Sequence, residues 1–174
     1  MKKLKNIALV AISVLCLMLA GCSKSDDQKE FENQAYSPPQ NFTAMSADGR
    51  PAGSNQTDPD DWRISPMYQG LVEVSTPPYP NPVPLNSSFR IDIDILGFET
   101  VPGMEIYAFE EAQNIFGPIA QYSQSELNPG VKVLVLNPAN FSGTSSVQGT
   151  AGLNRLVIFD GRDNVITYGD VMVE

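Results

Sequence analysis

A chain of 174 residues with a formal charge of −9 and no histidine fits one domain of common size, and it lacks both the commonest general base and the commonest transition-metal ligand. So acidic a surface repels phosphate backbones, which sets nucleic acid aside as a partner. Fourteen prolines and thirteen glycines foretell many turns.

The chain opens with Lys2, Lys3 and Lys5, then an apolar run over 7–19, then Leu19-Ala20-Gly21-Cys22. The apolar run is too short for a comfortable permanent span and has the order of a secretory signal. Its ending resembles the lipobox of bacterial lipoproteins, in which the cysteine becomes a diacylglyceryl thioether and the chain is cut just before it. The resemblance implies that 1–21 is a lipoprotein signal peptide and that Cys22 becomes the acylated first residue, held at the membrane by palmitate-type chains. Cys16 would leave with the signal, so the exported part has no cysteine for a disulfide. No second long apolar segment follows. Membrane lipid is then a partner through the anchor, with no spanning helix.

Residues 23–30 are polar and charged without an apolar period, as in a solvated tether. By resemblance to lipoprotein sorting rules, Ser23 in place of an aspartate favours delivery to the outer membrane. Ser25-Asp26-Asp27 looks like the acidic export signal of Bacteroidetes surface lipoproteins, or else serves only to keep the tether soluble. From 31 to 61 the punctuation Pro38-Pro39, Asp48-Gly49 and Asp58-Pro59 interrupts any period. The whole of 22–61 therefore reads as a flexible tether or linker.

The composition changes at Trp62, and 62–174 is expected to be the folded domain. Short runs rich in Val, Ile, Tyr and Phe alternate with turn residues, the pattern of an all-β sandwich or barrel. Seven strands are expected, near 68–75, 87–96, 104–109, 115–122, 131–136, 155–159 and 165–173. In the second, Phe89, Ile91, Ile93 and Ile95 alternate with Arg90, Asp92 and Asp94, giving one buried and one wet face. The last two flank Asp160-Gly161-Arg162-Asp163-Asn164, suited to a tight hairpin turn. Pro77, Pro78, Pro80, Pro82 and Pro84 cannot donate to a ladder, so the stretch that holds them must be an edge or an extended crossing.

Tyr79-Pro80-Asn81-Pro82, the alternating strand after it, Gly103-Met104-Glu105-Ile106-Tyr107 and Gly152-Leu153-Asn154-Arg155-Leu156-Val157 with its closing hairpin resemble the immunoglobulin-like domains at the ends of secreted Bacteroidetes proteins. These include type IX secretion C-terminal sorting domains, which open with a similar Tyr-Pro-Asn-Pro. The resemblance covers roughly 79–174 and implies an immunoglobulin-like β-sandwich. The acidic ending Gly169-Asp170-Val171-Met172-Val173-Glu174 departs from the basic one of sorting domains.

For chemistry there is no Gly-x-Ser-x-Gly, Ser-x-x-Lys or phosphate-cradling glycine loop. Carboxylate pairs remain: Asp92 and Asp94 lie about 7 Å apart along one strand face, as any two acids on a half-wet strand do. Calcium is the alternative site, with Asp58, Asp60 and Asp61 before the domain and Asp160, Asp163 and Asn164 in the last hairpin as oxygen ligands. Plain turn chemistry is the favoured reading of each group. Trp62 either stacks on a glycan or peptide or plugs the open end of the core. The sequons at Asn41, Asn55, Asn86 and Asn140 are read as chance. The expectation is a lipid-anchored outer-membrane lipoprotein, facing the periplasm or the cell surface, that acts as a non-catalytic binding or structural module on an envelope protein or glycan. The alternatives are a calcium-, glycan- or peptide-binding lipoprotein and, third, a carboxylate-dependent hydrolase.

Overall fold

A computed structural model describes residues 24–53, 57–109, 118–141 and 150–174. Seven strands form two antiparallel sheets: β1 (Val72–Tyr79), β2 (Phe89–Ile95), β3 (Gly103–Phe109), β4 (Ala120–Ser123), β5 (Gly130–Leu136), β6 (Gly152–Asp160) and β7 (Val165–Val173). One sheet has the order β1-β2-β5, the other β4-β3-β6-β7. Together they make the expected all-β sandwich. An immunoglobulin constant-type domain places its fourth strand beside the fifth, whereas here β4 pairs with β3 and so belongs to the sheet of β6 and β7.

The main core follows from alternation. Phe89, Ile91, Ile93 and Ile95 of β2 face Met104 and Ile106 of β3 and Leu156 and Ile158 of β6 within one buried cluster, while Arg90 is exposed and Asp92 and Asp94 are half-exposed. Tyr68 stands in a short 3-10 turn, Pro66–Tyr68, and not in the first strand. Its hydroxyl donates to Asp160, which draws it across to the last hairpin. The first strand instead runs on through Pro77 and Pro78. It can do so because β1 is an edge strand, where a missing N–H faces away from the ladder, and its register with β2 slips twice near these residues. Of the fourth expected strand, 115–117 lie outside the described residues.

The segment expected to be a tether folds onto the sandwich. Asp26–Ala35 is a helix, α1, whose N-cap Ser25 accepts from the Gln28 amide at 3.2 Å, with Asp26 and Asp27 in the first turn. That capping and those charges favour a helix start. Phe31 and Ala35, one turn apart, are buried against Val157, Phe159, Val165 and Tyr168 on the outer face of the four-stranded sheet, and the Phe31 and Tyr168 ring centres are 5.0 Å apart. Because α1 covers that face, β6 and β7 are buried on both sides over most of their length. Further along, Met45 exchanges backbone hydrogen bonds with Asn81 in both directions at 2.8 Å.

Two outcomes check this arrangement. Ile93 is fully buried, so Ile93→Ala is expected to lower stability by about 2–5 kcal/mol in urea melts, whereas Asp94→Asn changes it by no more than about 0.5 kcal/mol. Phe31→Ala should make residues 24–37 more open to limited proteolysis while the sandwich keeps its protease resistance, because that ring is the largest apolar side chain the helix buries against the sheet.

Candidate functional site

The outer face of β6 and β7 carries a buried ion pair. Arg155 and Asp170 stand opposite one another in the register, and the guanidinium donates twice to the carboxylate, Nε to Oδ1 at 2.7 Å and Nη2 to Oδ2 at 2.8 Å. Its remaining nitrogen, Nη1, donates to the carbonyl oxygens of Gln34 and Ser37, both at 2.9 Å, and so holds the chain at the end of α1, where carbonyls lack an intrahelical partner or share one. The guanidinium also lies 5.0 Å from the centre of the Tyr168 ring.

Beside this pair a cavity of about 220 Å³ is walled by Gln34, Ser37, Gln40, Asp61, Arg155 and Tyr168, with Asp58 and Asp60 at the same opening. The three loop acids have separate tasks. Asp61 accepts the Asp170 amide at 3.0 Å on one oxygen and the Thr43 amide at 2.8 Å on the other. Asp58 accepts the Asp60 amide at 2.9 Å, an Asx turn, and Asp60 lies exposed, 3.3 Å from Arg63. Burial and the nearby Asp170 carboxylate push the Asp61 carboxyl up to about 7, against the two backbone amides that lower it. With both oxygens taken by backbone donors, Asp61 fastens the Thr43 segment to β7.

The last hairpin is organised by Asp160. One oxygen accepts the amides of Arg162 and Asn164 at 2.7 and 2.8 Å; the other accepts the Asn164 side-chain amide at 2.8 Å and the Tyr68 hydroxyl. Burial raises this carboxyl, but the bonds from Tyr68, Asn164 and Arg162 outweigh it and hold it below the usual carboxylate range. A carboxylate with four donors has no free side for a cation. Asp163, in the left-handed region at φ 61°, keeps its side chain exposed. The six calcium candidates are thus not brought together, and among the described residues no group of three or more ligating side chains is placed to hold a metal.

Trp62 is also not a stacking platform, being 5 % exposed. Its amide donates to the Tyr168 carbonyl at 2.8 Å, and its indole lies so close over Gly169 that a Cβ there would stand 2.2 Å from Trp62 Cε2. It belongs to the buried main core. Asp92 accepts the Tyr79 hydroxyl at 3.1 Å on the half-wet face of β2. Asn41, Asn86 and Asn140 are exposed, and Cys22 and Asn55 lie outside the described residues.

Sequence reasoning missed Arg155, Asp170 and Asn81. Asn81 is wholly buried: its side-chain nitrogen donates to the carbonyls of Thr43 at 2.9 Å and Asp170 at 3.1 Å, and its side-chain oxygen accepts the Met172 amide at 3.0 Å. The signal available was a single polar residue between two prolines, in a motif noted only for its resemblance. Neither a protein-family model nor a curated protein sequence matches the chain. Fold and site define an all-β sandwich of three strands against four, with a helix clamped over one outer face.

The Asp61 environment has a pH consequence. Between its ordinary 3.8 and about 7, the folded chain keeps a proton that the unfolded chain has released. The stabilising contribution of Asp61 is therefore complete below about pH 4 and is lost as pH rises through about 7. The stability of the parent relative to Asp61→Asn should fall over that interval in denaturant melts and level off above it. A difference that stays flat from pH 4 to 8 contradicts the assignment.

Proposed function

We propose that the chain is a lipid-anchored envelope protein, attached through acylated Cys22 and directed to the outer membrane, whose sandwich is a non-catalytic binding or structural module. The observation that carries this reading is the basic, apolar and Leu19-Ala20-Gly21-Cys22 succession at the front of the chain. The position of α1 supports a specific form of it. Its N-cap is Ser25, and three residues of extended chain reach only about 10 Å. Lipid on Cys22 would then hold the sandwich close against the bilayer, where its partners are membrane-surface components.

Among the described residues no helix is long and apolar enough to cross a membrane. Attachment would rest on the acyl chains, and stable attachment takes more than one of them. Arg155, Asp160, Asp170 and Asn81, all buried, are engaged with the chain's own backbone, which favours a module that positions a surface over one that turns over a substrate.

Cys22→Ser should release the protein from envelope membranes into soluble fractions, or leave it with its leader attached, while the sandwich keeps its melting behaviour. Fractionation with mass spectrometry of the mature N-terminus reads both. Membrane retention of this variant with normal leader removal would defeat the reading.

A further inference from the structure

Where α1 ends, the second apolar cluster does not close. Tyr36, the residue that caps the helix, leaves half its surface in water. Its ring stands 5.9 Å from Phe109 at 68° and 6.4 Å from Phe159 at 33°, and Tyr107 meets Phe159 edge to face at 5.4 Å. These four rings and the Asp163 carboxylate wall a cavity of about 190 Å³. They come from four places in the fold: the helix end, β3, β6 and the β6–β7 turn.

The one charged residue among the described residues that line this cavity is Asp163. The Asp163 side chain makes no hydrogen bond or ion pair with any described residue. Glu105 accepts the Tyr107 hydroxyl at 2.9 Å, and Asp163 with Glu32 on one side and with Glu105 on the other adds to burial in raising the Tyr36 and Tyr107 phenols. Among the described residues no lysine or arginine lines the cavity. Aromatic faces carry negative potential at their centres and attract cations, quaternary ammonium groups above all. Aromatic rings grouped around a carboxylate that no described residue pairs complement a compact apolar cation. The volume is below the range of about 300–1,000 Å³ typical of sites for drug-sized ligands, so it suits a head group.

The geometry points to a binding site for a small quaternary or similarly alkylated ammonium ion, of the size of choline, enclosed by Tyr36, Tyr107, Phe109 and Phe159 with Asp163 as counter-ion. This gives a ligand class to the binding role proposed above. It does not depend on the anchor, since the site lies wholly within the sandwich and α1.

The test is a titration of the full chain, in a non-ionic detergent, with choline chloride and with its uncharged isostere 3,3-dimethylbutan-1-ol, followed by NMR shifts of the tyrosine rings. Choline is expected to saturate and to bind about tenfold more tightly than the alcohol, a ratio that a few cation–π contacts supply. Asp163→Asn, which suits the left-handed backbone there, should weaken choline severalfold and leave the alcohol and the melting temperature unchanged. Tyr36→Ala should lose most choline binding, and because the ring is half-exposed the fold is retained. Equal binding of choline and the alcohol would reduce the site to an apolar crevice and overturn the proposal. The absence of any saturable shift would overturn it as well. Either failure leaves the membrane attachment, read by fractionation of the Cys22 variant, unaffected.

Discussion

The arrangement of everything outside the main core depends on the Arg155–Asp170 pair. Two ionised groups with almost no exposure are tolerable only when every donor and acceptor is used, and removal of one partner from such a pair costs about 3–5 kcal/mol. Here most of those groups are taken up within the pair or by chain from elsewhere. Two guanidinium bonds fix the end of α1, the Gln40 amide donates to Asp170 at 3.2 Å, and the Asp170 backbone amide and carbonyl go to Asp61 and Asn81. The pair therefore determines where the N-terminal segment must lie. Phe31 and Ala35 then add apolar area to a docking geometry that the ion pair has already set.

The second constraint is the crossing from the three-stranded sheet to the free edge of β7. Prolines at 80, 82 and 84 have no N–H to pair, and the chain answers with side chains and alternate backbone groups. Asn81 serves both the Thr43 segment and β7, and the Val83 amide donates to the Met172 carbonyl at 2.8 Å. Higher on the same edge, the Trp62 and Ser65 amides donate to Tyr168 and Ile166. An edge strand that would otherwise offer a row of open backbone groups is thereby closed by irregular chain.

What could be read from the sequence was what depends on neighbours within a strand. Alternation in 89–95 located a core strand and its wet face, and the turn residues at 160–164 located a hairpin, because both effects act over a few residues. The helix escaped notice because its apolar content is one phenylalanine and one alanine in ten residues, too little for a period. Yet Ser25-Asp26-Asp27-Gln28 has the spacing of a helix N-terminus, and the unbroken apolar runs 156–159 and 165–166 are those of strands covered on both faces, which required something to cover them. The acids at 58–61 and 160–164 were read as possible cation ligands because a carboxylate accepts a backbone N–H as readily as it binds a cation. Which of the two it does depends on residues up to 109 positions away, as for Asp61 and Asp170.

The two outer faces of the sandwich end up with opposite characters. Over the four-stranded sheet, aromatic and aliphatic side chains are covered by α1 as far as Tyr36. Over the three-stranded sheet no helix lies among the described residues, and Val131, Val133 and Val135 of β5 stand half-exposed in a row beside Asp94, Asp92 and Arg90 of β2. β5 is an edge strand, and long apolar edges invite pairing with other chains. Lys132, opposite Ile93, faces the core side of that edge and is only partly buried. A charge turned inward on an edge strand opposes the addition of a further strand, because an incoming partner would have to bury it. The valine row can therefore remain in water beside the charged middle strand, without the cover that the aromatic face requires.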